Sequence, residues 1–402
     1  MAELNLESIF TPEIIADPYP MYRQLREGSP ILELPDVNTV IFSRYQDIQK
    51  LLRSRSMGHA DDTMRTKQDL EAVATNIALR NLNETMLVRN PPDHTRLRAL
   101  VVKAFDARRV EAMRPRIHEI ANRLIDDMIE RGRGDLVRLF THPLPVIVIC
   151  DLLGIPQNDQ EDFVSGTRIS GRLIDPTPMT PEELDDANRS SQESQDYFAA
   201  LCDERRHQPQ DDLITALVDS ETEHGRLSRK ELTNNIALLF AAGHETTVNL
   251  MGNALIALYR NRDQLQRLQQ NPELMPQAVE EFLRYDSSVQ MTGRTALEDT
   301  DICGITMKRG CNTIALLGAA NRDPAIFDSP DTLDISRERI KPISFGGGIH
   351  LCLGAQLARI EAQEALGALL QRLPALELDD PINVRWKQTM TLRGPSELPA
   401  GW

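Results

Sequence analysis

Apolar residues recur at helical spacing through much of the chain. The clearest stretch runs from Leu353 to Leu373, where Leu357, Ile360, Leu366, Leu369, Leu370 and Leu373 repeat with the helical period. The same period predicts helices over 45–53, 93–104, 109–131, 141–153 and 273–286, and a longer, strongly apolar one over 229–261. Two regions change period. Residues 31–43 read as strand, turn, strand, and 292–318, punctuated by Gly304 and Gly310, read as a small sheet. Residues 54–90 are charged and lack a clear period, which suits loops and short helices. Asp175-Pro-Thr-Pro-Met-Thr-Pro181 carries three prolines that stop a helix on either side. The pattern predicts a mainly α fold with a minor β-sheet component.

At 402 residues and 41% apolar content the chain can bury a sizeable core, although length alone does not choose between one large domain and two. Low-complexity tracts, repeats and separating linkers are absent from the sequence. No apolar run approaches the roughly eighteen residues that a bilayer span needs. The first residues, Met-Ala-Glu-Leu-Asn-Leu-Glu, are acidic and do not read as a secretion signal. Cys150, Cys202, Cys303, Cys311 and Cys352 make an odd set without a disulfide framework, which predicts a reducing, cytoplasmic setting. A net charge of −15 argues against nucleic acid as a partner.

The densest chemistry is Phe345-Gly-Gly-Gly-Ile-His350-Leu-Cys352-Leu-Gly354, directly ahead of the helix that follows Leu353. Gly346, Gly347 and Gly348 permit tight turns and close approach to a flat partner. At Gly354 a side chain would crowd whatever the sulfur binds. A sulfur near a helix N-terminus is favoured as thiolate, and such a thiolate suits an axial ligand to heme iron. Alone, Cys352 also reads as a small buried apolar residue or a nucleophile. A zinc site lacks a second Cys at CxxC spacing, and a phosphate loop lacks both GxGxxG and Gly-Lys-Ser/Thr. The whole pattern, Phe-Gly-x-Gly-x-His-x-Cys-x-Gly, resembles the heme-binding loop of the cytochrome P-450 family.

Three further constellations fit that resemblance. The long helix carries Ala241-Ala242-Gly243-His244-Glu245-Thr246-Thr247; Gly243 weakens the helix, and Thr246 can bond the carbonyl four residues back and bend it. The run is similar to the family's acid–alcohol motif, which implies that Thr246 holds a proton-donating water and Glu245 feeds it. Glu281 and Arg284, three apart, resemble the family's Glu-x-x-Arg pair, and the resemblance makes Arg337 the third, structural member. After Asn90-Pro91-Pro92-Asp93, with Asp93 a candidate cap, His94 and Arg98 stand four apart. The resemblance assigns them to a heme propionate and Arg294 and His350 to the heme's other contacts, and it makes Phe345, Gly354 and Ala242 cofactor-binding as well. The family's Asp-Pro-Pro-Glu-His-Thr is Asn-Pro-Pro-Asp-His-Thr here, and its usual Phe in Asp-Pro-Asp-x-Phe-Asp is Leu333.

Leu144–Pro156, Asp211–Leu217 and Asn321–Pro324 resemble the soluble bacterial branch, and the likeness spans the chain from about residue 15. It implies a single domain over 1–402, a triangular prism of helices around heme b, and a monooxygenase that hydroxylates or epoxidises a lipophilic small molecule with O2. Electrons are expected from a separate ferredoxin and its reductase, docking near Arg108, Arg109, Arg339 and Arg359. The substrate pocket is expected from Leu238, Ala241, Ala242, Val289, Gln290 and Met390 to Leu392, with 60–88 and a proline-rich lid over 172–181. A cytoplasmic monomer without membrane contact completes the expectation. Two rivals, a peroxide-driven enzyme and a catalytically silent heme protein that recruits other enzymes, are disfavoured by Glu245 and Thr246.

Overall fold

The computed structural model describes residues 11–166, 170–175, 179–224 and 228–402. Residues 1–7 and the centre of the expected lid, 176–178, lie outside them.

Its axis is the helix Arg229–Arg260, which starts at a reciprocal cap: Ser228 Oγ accepts from the Glu231 N–H at 3.2 Å, and the Glu231 carboxylate accepts from the Ser228 N–H at 2.8 Å. From Val248 to Tyr259 every residue of this helix is buried, as expected of a helix that crosses a core. Pro143–Leu153 packs on it and buries every residue except Asp151. Ala355–Arg372 packs on its other side and also against Arg114–Ile129. The main core, from Met86 to Ala400, lies between these helices.

A five-stranded sheet flanks the helices in the order Ile31–Leu34, Thr39–Phe42, Asn312–Leu316, Met291–Ala296, Met57–Gly58. The first two strands form the expected hairpin, with Ile31 opposite Phe42, and Asn38 closes the turn in the left-handed region. Thr39–Phe42 then pairs in parallel with Asn312–Leu316, which joins the two predicted β regions into one sheet. Within 292–318, Thr300–Ile302 and Ile305–Met307 form their own hairpin, with Cys303 and Gly304 at positive φ in its turn.

Several expected boundaries shift for identifiable reasons. The stretch 109–131 is two helices, Ala107–Ala112 and Arg114–Ile129, because Pro115 has no N–H to continue the first ladder and sits in the first turn of the second. The helix expected at 141 starts at Pro143, after a wide turn over Val137–Thr141. Residues 54–90 hold the short helices Lys67–Thr75 and Ile77–Asn83, as expected. Tyr19–Gly28, Pro181–His207 and Leu213–His224 are helices that apolar periodicity did not predict.

One buried group links this packing to pH. Glu361, on Ala355–Arg372, is fully buried with its carboxyl group beside Thr247. Burial pushes its pKa well above 4.5, outweighing the opposing effect of Thr247. The folded chain therefore holds a proton that the unfolded chain releases above about pH 4.5, so this contribution to stability falls as pH rises from there. Glu361→Gln is expected to raise the unfolding midpoint by a few degrees at pH 8 and hardly at pH 4, measured by thermal denaturation. An equal gain at both pH values would show the effect is not protonation.

Candidate functional site

Gly346 and Gly348 adopt positive φ, and the Cys352 N–H donates to the Phe345 carbonyl at 3.0 Å, folding 345–352 into a closed loop. Gly348 answers to the protein itself: a Cβ there would lie 1.9 Å from the Leu52 carbonyl oxygen, whereas one on Gly347 would make an ordinary contact, 3.5 Å from the Leu52 side chain, and one on Gly346 would meet nothing within 4 Å. Gly354 also faces open space, with nothing within 4 Å of a built Cβ. Phe345 packs against the core, and the Arg359 guanidinium stacks 4.6 Å from its ring centre.

Cys352 is exposed, and its free face forms part of the wall of a cavity of about 740 Å³. Burial pushes its thiol pKa up, against the Gly354 N–H and the guanidiniums of Arg98 and Arg359, which favour the thiolate.

Beside the sulfur stands a cluster of donors. His94 lies on Asp93–Ala104 with its ring centre 4.3 Å from that of His350, and His59 lies 4.9 Å from His350 on the other side. The Nε2 atoms of all three are buried without a partner. Burial and the guanidinium of Arg294 hold His59 down to about 3, and burial with Arg294, His59, His94 and Arg98 lowers His350 further. His94 is lowered by burial, Arg98 and Arg294, and Arg294 itself falls to about 10 by burial. Among the described residues neither Arg98 nor Arg294 pairs with a carboxylate; Arg98 donates to the Leu351 carbonyl and Arg294 to Thr292 Oγ1 and Gly293 O. Unpartnered imidazole donors and unpaired guanidiniums beside a cavity-facing sulfur fit a group that brings two carboxylates, as heme does.

His59 was not expected from the sequence. It leaves the edge strand Met57–Gly58, and Asn90 fixes it, with Asn90 Oδ1 accepting from the His59 N–H at 2.9 Å and Asn90 Nδ2 donating to its carbonyl at 2.7 Å. The cap expected at Asp93 is not formed. Pro92 holds the N-cap position, and Asp93, already helical, pairs with Arg96 at 3.3 Å.

Across the cavity, Thr246 Oγ1 donates to the Ala242 carbonyl at 3.2 Å, while the helix continues unbroken. Gly243 has a packing reason: a Cβ there would sit 3.0 Å from Ile149 Cδ1. Glu245 lines the cavity beside Thr246. Its Oε1 accepts from Lys387 Nζ at 3.3 Å, and its Oε2 is buried without a partner. The wall includes Leu238, Ala241, Ala242, Val289, Leu392, Arg294 and His350. Gln290 and Met390 do not belong to it. Gln290 faces away and donates to the Ser287 carbonyl at 2.7 Å, and Met390 packs in a separate cluster with Tyr19 and Tyr22.

Behind the loop, Glu281 and Arg284 are fully buried and joined by two hydrogen bonds of 2.7 Å. Arg337 Nε reaches Glu281 Oε1 at 3.3 Å. Of the arginines expected to dock a partner, Arg109 is engaged with Asp211 at 3.2 Å and Arg359 with Glu280, whereas Arg108 and Arg339 are exposed.

The chain matches the cytochrome P-450 family model over residues 30–397. It is 40% identical to cytochrome P-450 107B1 of Saccharopolyspora erythraea over 400 residues, covering 97% of this chain and 96% of that protein. It is 38% identical to the mycinamicin IV hydroxylase/epoxidase of Micromonospora griseorubida, covering 95% and 94%. The crystal structure of P450BioI with acyl carrier protein bearing hexadec-9Z-enoic acid superposes with a TM-score of 0.89 at 36% identity, covering 98% of this chain and 100% of that one.

Proposed function

Since the chain belongs to the cytochrome P-450 family and is a monooxygenase with a heme-thiolate iron cofactor, we propose that it hydroxylates or epoxidises a lipophilic small molecule, with electrons delivered by a separate ferredoxin and reductase. The observation that carries this reading is that Cys352, Glu245 and Thr246 all open into one largely apolar cavity. The relative that acts on mycinamicin IV and the neighbour holding an acyl chain support a substrate of this kind.

Heme b, when bound, supplies the oxygen-activating iron, with Cys352 as its thiolate ligand. His94, Arg98, Arg294 and His350, joined by His59, would hold the propionates, and Phe345, Gly354 and Ala242 would contact the cofactor. Thr246 turns its hydroxyl from the Ala242 carbonyl to a water. Glu245 passes protons to that water from its free Oε2, while Lys387 fixes its other oxygen. Leu238, Ala241, Val289 and Leu392 exclude water and hold the substrate. Glu281, Arg284 and Arg337 position the loop that carries the sulfur. Exposed Ile349 and Leu351 belong to the loop, and with Arg108 and Arg339 they are the surface for the electron donor. No helix among the described residues is long and apolar enough to cross a membrane.

Thr246→Ala tests the reading. Oxygen consumption with an electron donor is expected to continue while product per oxygen falls by at least about tenfold. An unaltered yield would remove Thr246 and its water from the mechanism.

A further inference from the structure

The cavity has two chemically different ends. Near Thr246 its wall is apolar, whereas at the junction of Ile77–Asn83 with Pro181–His207 it is lined by Asn81, Ser190, Ser191, Ser194, Gln195 and Asn234. Asn234 and Thr246 lie on the same helix twelve residues apart. At ~1.5 Å per residue that is about 18 Å along the axis, so the two ends suit a long molecule.

Most of the polar groups at the far end satisfy one another. Gln195 Nε2 donates to Asn234 Oδ1 at 2.6 Å, Asn234 Nδ2 to Glu84 Oε2 at 3.0 Å, and Asn81 Nδ2 to Ser191 Oγ at 2.9 Å. Asn81 is left incomplete. The residue is 6% exposed, it lines the cavity, and its Oδ1 has no partner. Turning the amide over only exchanges the unmet acceptor for an unmet donor, with Ser191 then donating to the oxygen. A hydroxyl answers either orientation, because it both donates and accepts.

The charge at this end selects against an anion. Glu84 stands behind Asn234, and Lys230 is already engaged by Glu84 at 2.8 Å. Among the described lining residues the cation is Arg294, which with the neutral imidazoles of His59 and His350 belongs to the Cys352 end. An ionised carboxylate buried beside Asn81 would therefore be uncompensated.

We propose that this end is a subsite for the uncharged, hydroxyl-bearing end of an elongated and otherwise apolar substrate, with Asn81 as its anchor. The proposal rests on the reading above, in which the substrate's other end lies between Thr246 and Cys352. Oxidation then falls at the end of the molecule remote from the hydroxyl.

The test is binding to the heme-loaded enzyme, followed by the visible spectrum of the ferric heme and by the thermal unfolding midpoint. The probes are lauryl alcohol, dodecyl methyl ether and lauric acid. Lauryl alcohol is expected to bind about tenfold more tightly than the ether or the acid. Asn81→Leu should erase that advantage while leaving ether affinity within about twofold, which also reports an intact fold. Asn81→Ala, smaller and without the amide, should likewise erase the alcohol's advantage and reads the subsite if the leucine variant does not fold. Equal binding of alcohol and ether, a preference that survives Asn81→Leu, or tightest binding of lauric acid would each overturn the proposal. Turnover is scored separately: an alcohol preference without oxidation of any probe would support the subsite and count against the monooxygenase reading of this cavity.

Discussion

Glu281→Ala is expected to cost about 3–5 kcal/mol in denaturant unfolding, a large share of the roughly 5–15 kcal/mol that holds a typical domain folded. The substitution removes the only carboxylate that the Arg284 side chain meets among the described residues, inside packing that leaves both residues fully buried. It also strips Arg337 of its ion pair and the Asp334 N–H of an acceptor at 2.9 Å. Arg284 in turn donates to the carbonyls of Asn321, Pro330 and Thr332, so the damage spreads into the segment that leads to the cysteine loop. Asn321 continues the path, with its Oδ1 accepting from the Ile343 N–H and its Nδ2 donating to Ser344 Oγ, both at 2.8 Å. Heme retention should therefore fall together with stability. Arg337→Met should cost clearly less than Arg284→Met, since Arg337 sits at the rim and meets a single carboxylate oxygen. Equal losses would show that full burial and the second carboxylate bond of Arg284 add nothing, since Arg337 also donates to carbonyls, those of Ser329 and Thr332.

What could be read from the sequence follows the range of each interaction. The cysteine loop, the Glu245–Thr246 pair and Glu281–Arg284 are local spacings within a loop or a helix, and each spacing survives folding unchanged. Lys387 and His59 reach the site from segments with no periodic signal, and only tertiary packing brings them there. Pro181–His207 escaped because its apolar positions are sparse. Its start is nevertheless encoded in Thr180 and Glu183, which cap it reciprocally, and in Pro181 at the first turn. The orientation of Gln290 follows from local alternation. Val289 and Met291 face the cavity, and in an extended chain the residue between them points the other way. The orientation of Met390 has no such local source, since Asp175 accepts from the N–H groups of both Met390 and Thr391 and turns that segment in a way no local pattern records.

Cys352→Ala separates the two halves of the proposed site, the sulfur assigned to the iron and the rim assigned to the cofactor's carboxylates. Product formation should fall to background, because no other described cysteine lines the cavity, and His350 and Arg294, which also line it, are assigned to the propionates in the proposed arrangement. Heme content should fall less steeply. The donors of His59, His94 and His350 and the guanidiniums of Arg98 and Arg294 remain, and each carboxylate they hold is bound by charge-assisted hydrogen bonds. Arg294→Leu should give the opposite pattern. The sulfur and its spectrum are retained in whatever fraction stays loaded, while cofactor loss on dilution speeds up and the unfolding midpoint becomes dependent on added heme. Absorption spectra and heme content measured before and after gel filtration separate the two outcomes. If Cys352→Ala kept its product yield, the sulfur would have no chemical part and the glycine loop would be packing alone. If instead Arg294→Leu held heme as tightly as the parent, the unpartnered imidazoles would have to be reassigned to another ligand.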